Sequence, residues 1–187
     1  LICNIDDLLK NFYLEKSKLK INEILDPINF ENYKRNYLNI FNVENISRNK
    51  YINLLNQIKI SNSLANTTKY DLITMPINKS VFKKNIKFVG MTEYLGKLNK
   101  TDTIMLMHGD KFSIIPMTTH INLKHISRCV NSKFINSFLK EIFLNIRKTK
   151  YSLNIKNIKF LCYNPHCSED GTLGKEDIII RNVIKNY

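Results

Sequence analysis

Apolar residues fall at Ile5, Leu8, Leu9, Phe12, Tyr13, Leu14 and Leu19, with Asp6 and Asp7 in the first turn where the helix dipole favours acids; the spacing predicts a surface helix over 5–19. Tyr51 to Leu64 repeats the helical pattern through Ile52, Leu54, Leu55, Ile58 and Ile60. It leads into Asp71-Leu72-Ile73-Thr74-Met75-Pro76, a short apolar segment that reads as a strand stopped by proline. Thr103–Met107 and Phe112–Met117 flank His108-Gly109-Asp110-Lys111, a turn-like group that predicts a hairpin, although Pro116 argues against a central ladder position. Val130, Phe134, Phe138, Ile142 and Ile146 recur at helical spacing behind Ser127, a candidate N-cap, and predict a helix over 128–148. Ile158–Tyr163 then reads as a strand and Asn164–Gly174 as a loop. Lys175-Glu176-Asp177-Ile178 reads as a helix start, inside which the chain is expected to end. Between Pro27 and Asn49 no period is clear, and the expectation is loop with short strands.

Helices and strands alternating in this order predict an α/β layered fold, in which binding groups collect on loops beyond the carboxyl ends of the strands. A chain of 187 residues allows one compact domain or two small lobes. It has only five glycines, and it contains neither G-x-G-x-x-G nor G-x-x-x-x-G-K-[ST], which removes the ordinary dinucleotide fingerprint and the P-loop. At this length about 70% of the unfolded surface is hidden on folding, so disulfide staples are not required. No apolar run reaches the ~18 residues of a membrane span.

Composition changes the picture in one respect, the charge. The formal net charge is +13, but only 5 of the 29 basic residues are Arg and the lysines are spread almost evenly. A nucleic-acid binder would gather them on one element beside aromatic or Arg-rich readout positions. With 26 Asn, 27 Ile and a single alanine, Ala65, the lysine excess reads as the mark of an AT-rich genome. The four cysteines, Cys3, Cys129, Cys162 and Cys167, are too few and too irregular for a secreted framework, so reduced thiols in a cytoplasm are expected. Residue 1 is Leu, and Leu1-Ile2-Cys3-Asn4 resembles a strand end rather than a signal peptide, so the front of the chain is expected to be missing.

Two histidines share one structural address. His120 closes Pro116-Met117-Thr118-Thr119-His120 and His166 closes Tyr163-Asn164-Pro165-His166, each just past a predicted strand. Neutral imidazoles on neighbouring strand ends suit a metal ion, and they equally suit ordinary structural hydrogen bonding. Cys162, His166 and Cys167 offer a rival zinc grouping without a second knuckle. Lys79 and Thr92 suit an anionic substrate, or else a polar loop and a helix capped by Thr92. Gly171-Thr172-Leu173-Gly174 offers backbone N–H groups to an anion, or a plain helix entry.

Taken in order, four motifs resemble the 4-hydroxythreonine-4-phosphate dehydrogenases of pyridoxal phosphate biosynthesis. Thr74-Met75-Pro76-Ile77-Asn78-Lys79 is similar to T-G-P-x-x-K, and Gly90-Met91-Thr92-Glu93-Tyr94-Leu95 to G-H-T-E-[YF]-[LF]. Thr118-Thr119-His120-Ile121-Asn122-Leu123 is similar to T-T-H-[IL]-P-L, and Asn164-Pro165-His166-Cys167-Ser168-Glu169-Asp170-Gly171 to N-P-H-A-G-E-x-G. The motifs lie within residues 71–177; before residue 71 the resemblance is one of layout.

The resemblance implies a three-layer α/β/α fold like the isocitrate and isopropylmalate dehydrogenases. Residues 1–187 would form a single region of a two-lobed enzyme, incomplete at both ends. It implies a cytoplasmic homodimer that oxidises 4-phosphooxy-L-threonine at C3 with NAD or NADP and a divalent metal (Zn, Mg or Co). Decarboxylation would then give 3-amino-2-oxopropyl phosphate. His120 and His166 would be two of three metal ligands, the third coming from the other subunit out of a later Y-H-D-Q stretch absent here. Thr92 would bind substrate, and Met91 occupies the position of the family's substrate histidine, which weakens that contact because a thioether is a poor hydrogen bonder. The cofactor-binding residues are not assigned. Three alternatives stand beside this reading: a degenerate, non-catalytic remnant, a paralogue acting on another four-carbon hydroxy acid, and a basic nucleic-acid-binding module.

Overall fold

The computed structural model describes residues 1–11, 20–78, 88–146 and 157–187. The chain divides into two compact units, Leu1–Phe88 and Val89–Tyr187, and its architecture is α/β. No described helix is long and apolar enough to cross a membrane.

The first unit is built on a parallel sheet of β1 (Ile2–Cys3), β2 (Lys20–Ile24) and β3 (Tyr37–Asn42) in the order β1-β3-β2, with Ile2 opposite Phe41 and Ile24 opposite the same residue on the other side. Ile24, Ile40 and Val43 are buried, as is Ile58 on α2 (Lys50–Thr68). Asn4 starts α1 (Ile5–Asn11) by accepting from Asp7 N at 2.9 Å, and it ties the helix to the end of β3 by donating to Val43 O at 3.2 Å. Asn49 caps α2 through Tyr51 N. The helix expected over 5–19 is therefore seen as Ile5–Asn11. Phe12, Tyr13, Leu14 and Leu19 lie outside the described residues, as does Lys79, and Lys20 already belongs to a strand.

The strand expected over 71–76 is not formed. These residues carry no regular structure, and the Ile73 and Met75 side chains stay exposed, so the segment is a run of apolar residues without an apolar environment. Conversely, β3 lies in the stretch whose pattern showed no period. Its polar residues are absorbed locally: Asn39 accepts from Lys34 N at 2.9 Å and from Asn22 Nδ2 on β2 at 2.8 Å.

The second unit contains α3 (Met91–Asn99), a minimal hairpin of β4 (Met107–His108) and β5 (Ser113–Ile114), then α4 (Leu123–Cys129), α5 (Ser132–Ile146) and α6 (Glu176–Ile184). The predicted hairpin exists, but its ladder is only Met107↔Ile114 and His108↔Ser113. Its core is Val130, Ile135, Leu139, Ile180 and Val183, with Met117, Ile126, Phe134, Phe143 and Phe160 packed around it, so α5 and α6 share one apolar seam. The buried stripe of α5 runs through Ile135, Leu139 and Ile142, one position beyond the stripe of Phe134 and Phe138.

The helix expected over 128–148 is two helices. Val130 leaves helical geometry at φ −78°, ψ 89°, and Asn131 then caps α5 by accepting from Phe134 N at 3.0 Å. Asparagine is a far better cap than helix interior, and a buried β-branched valine at the break gives the chain a reason to bend there. Ser127 is accordingly inside α4, and residues 147–148 lie outside the described residues. Helix α6 ends at Ile184, before the last residues.

Candidate functional site

Helix α3 begins at Met91, with Gly90 rather than Thr92 as its N-cap. Gly90 has extended backbone at φ −170° that any residue can adopt, so its glycine is a matter of space. A Cβ there would stand 2.5 Å from Glu93 Oε2 and 2.6 Å from His120 Cε1. The bare backbone of Gly90 thus lets two side chains from distant parts of the chain meet over the helix start. Gly90→Ala should push the His120 ring and the Glu93 carboxylate off this point and cost about 1–3 kcal/mol, as overpacking typically does. Thermal denaturation measures the loss, and an unchanged midpoint would mean that the close approach does not exist in solution.

What meets there is a hydrogen-bonded trio. His120 Nδ1 lies 2.8 Å from Glu93 Oε1, and Thr119 Oγ1 donates to the same oxygen at 2.9 Å. An ionised carboxylate can only accept, so Nδ1 is the donor of this pair, and in the neutral ring the lone pair falls on Nε2. Burial raises the Glu93 carboxyl, but hydrogen bonds from His120, its own backbone N–H and Thr119 outweigh it and hold the group below the usual carboxylate range. The other oxygen, Oε2, is shut away from water and finds no hydrogen-bond partner among the described residues. His120 itself takes a left-handed backbone, φ 54°, an unusual conformation for a non-glycine residue.

Thr92, the second residue of α3, is half-buried and lines a cavity of about 700 Å³ together with Glu93, Lys97, Thr119 and Phe138. Its backbone carbonyl accepts from Thr103 Oγ1 at 3.3 Å. The cavity is lined by two lysines, Lys97 and Lys100, by the acidic Glu93, Asp102 and Glu141, and by the apolar Met117 and Phe134. Met91 sits beside Thr92 in the first turn and is also half-buried.

His166 stands on a separate element, the turn Pro165–Gly171, with its ring exposed. From His166 through Asp170 every residue has positive φ, between 44° and 68°, so the backbone makes a left-handed turn without a glycine until Gly171. Such residues cost about 1–2 kcal/mol each, and the turn persists because its inner face is anchored. Ser168 is fully buried and donates to Asp177 Oδ2. The same carboxylate accepts from Tyr163 N at 2.6 Å and Asn164 N at 2.9 Å, while Asn164 Nδ2 donates to Ser168 Oγ at 3.0 Å. Burial raises the Asp177 carboxyl, but the hydrogen bonds from Ser168, Tyr163 and Asn164 prevail and keep it below its ordinary range.

This anchor corrects the strand expected over 158–163. Tyr163 N, which a ladder would need, is spent on the start of α6, and Leu161 is 89% exposed. It also gives Asp177 a role beyond opening a helix. The expectation of four reduced thiols is corrected too. Cys162 and Cys167 form a disulfide with Cα atoms 5.1 Å apart, and Cys3 and Cys129 are free. Two sulfurs bonded to each other give no thiolate pair to a zinc ion, which disposes of the C-x-x-x-H-C grouping.

Sequence reasoning pointed to Thr92, His120 and His166 but passed over Glu93, Thr119, Gly90 and Asp177. Glu93 was within reach, since it stands inside the same motif as Met91 and Thr92. Its partner 27 positions away could not be read from spacing. Among the described residues no group of three or more His, Cys, Asp or Glu converges to hold a metal ion.

A family model described as pyridoxal phosphate biosynthetic protein PdxA matches residues 2–187, the whole chain but one residue. The chain belongs to that family. Among its curated relatives is the 4-hydroxythreonine-4-phosphate dehydrogenase of Wigglesworthia glossinidia brevipalpis, 32% identical over 95% of this chain and 57% of the relative. Enzymes of the same name from Hydrogenobaculum sp. and Aquifex aeolicus are each 40% identical, over 57% and 58% of this chain and 34% of their own length. The matched part thus covers 57% of the first of these relatives and about a third of the other two.

Proposed function

We propose that this chain is the central part of a 4-hydroxythreonine-4-phosphate dehydrogenase that oxidises 4-phosphooxy-L-threonine at C3 with NAD or NADP, decarboxylation giving 3-amino-2-oxopropyl phosphate. The complete enzyme would have a three-layer fold of the isocitrate and isopropylmalate dehydrogenase type and act as a cytoplasmic homodimer. The observation that carries the reading is the His120 ring held by Glu93 at the start of the helix bearing Met91 and Thr92, within a chain that matches the family along residues 2–187.

The donor chemistry fits a divalent cation. His120 Nδ1 is bonded to a carboxylate, the usual setting of an imidazole that binds metal through Nε2, and the exposed His166 would supply a second imidazole nitrogen. When bound, the cation would polarise the substrate oxygen as a Lewis acid and the nicotinamide would accept the hydride. His120 and His166 would hold the cation, with a third histidine from the other subunit. The Thr92 hydroxyl would orient substrate in the cavity, whose lining carries Lys97 and Lys100 beside the acidic Glu93, Asp102 and Glu141. Met91 lines the same helix start without a hydrogen bond to offer, so the ground-state grip on substrate is weaker than a histidine would give.

Met91 also favours a second reading, a non-catalytic remnant or a paralogue for another four-carbon hydroxy acid. One assay separates them. The full-length protein, given NAD or NADP, a divalent cation and 4-phosphooxy-L-threonine, is expected to form reduced nicotinamide and carbon dioxide, and a chelator is expected to stop it. No turnover from a folded, metal-loaded dimer would overturn the first reading.

A further inference from the structure

We infer that Glu93 is a positioning residue, whose carboxylate holds the proton of His120 on Nδ1 and so presents Nε2 to a divalent cation. The inference rests on the proposed function for the cation, but the geometry of the pair stands by itself. A glutamate in the first turn of a helix ordinarily reaches back to the N-cap backbone as half of a capping box. Here the N-cap is Gly90, which has no side chain to complete the box, and no side-chain cap is formed. Glu93 Oε1 is given to His120 at 2.8 Å and to Thr119 at 2.9 Å instead.

Three further features point the same way. Gly90 leaves out the Cβ that would collide with both partners. His120 accepts a left-handed backbone in the position that brings its ring to the carboxylate. Glu93 Oε2 is buried without a partner among the described residues, a cost that a purely structural carboxylate would be expected to avoid. A ring whose Nδ1–H is fixed by a carboxylate has its tautomer, plane and basicity set in advance, which is what ligation through Nε2 requires. Thr119 donates to the same oxygen at 2.9 Å and so helps to hold it in place.

The test uses the full-length protein labelled with ¹⁵N-histidine and free of metal, with His120→Ala to assign the signal. The wild type should show His120 as the Nδ1–H tautomer. Glu93→Ala should return it to the Nε2–H form that free histidine prefers and weaken zinc binding in calorimetry by about 10–100-fold. Glu93→Gln keeps the shape and a carbonyl acceptor, so it should retain the tautomer and most of the affinity; this variant also guards against a folding defect in the alanine variant. A wild-type Nε2–H tautomer, or zinc binding by Glu93→Ala within twofold of wild type, would overturn the inference. If the tautomer follows Glu93 while no variant, wild type included, binds zinc, the metal reading fails and the orienting role of Glu93 stands.

Discussion

Replacing Asp177 with alanine should destabilise the protein by about 3–5 kcal/mol, because one buried carboxylate satisfies two backbone N–H groups and a buried hydroxyl, and each is left unpaired by its loss. Chemical denaturation measures it, and a loss under about 1 kcal/mol would show that water replaces the anchor. The effect carries a pH signature. The folded-state carboxyl is held below its unfolded value, so its contribution is fully present above the ordinary aspartate range, near pH 4. It is lost as the pH falls through the depressed value. Wild type should therefore lose stability on acidification over a window in which Asp177→Asn is flatter, and parallel curves would assign the acid sensitivity elsewhere.

Removing both imidazoles, His120→Ala with His166→Ala, should abolish divalent-ion binding by the full-length protein and reduce turnover by about a thousandfold or more. A Lewis acid at the reacting oxygen is worth several kcal/mol, and each 1.4 kcal/mol is a factor of ten. On the proposed roles the loss should fall on kcat, since Thr92 would still receive substrate. Retention of a stoichiometric divalent ion by the double variant would show that the ligands are other residues.

The legible parts of the fold were those whose pattern is set by local burial. Phe134–Ile142 is helical because its apolar residues share one face, and the helix read over Tyr51–Leu64 is found as well, though it buries only Asn53 and Ile58. Ile158–Tyr163 misled because an apolar run specifies burial or extension only if a partner strand exists, and here Asp177 takes the backbone donors. Tyr37–Asn42 is one of the short strands expected between Pro27 and Asn49, but its bounds were hidden because Asn39 is polar in sequence yet satisfied by Lys34 and Asn22 in space. At the site, Thr92, His120 and His166 were visible as motif positions. The Glu93–His120 bond was not, because nothing in a linear spacing marks a pairing made by one glycine's missing side chain.

The left-handed turn ties two positions nine residues apart, Ser168 and Asp177, into a single unit of variation. His166 has its conformation only while Ser168 is pulled inward, and Ser168 is held by a residue on another element. Drift at the start of α6 would therefore be felt first not as a melted helix but as a misplaced imidazole. A lineage under loose selection should lose this loop's chemistry through changes in a segment that no motif covers.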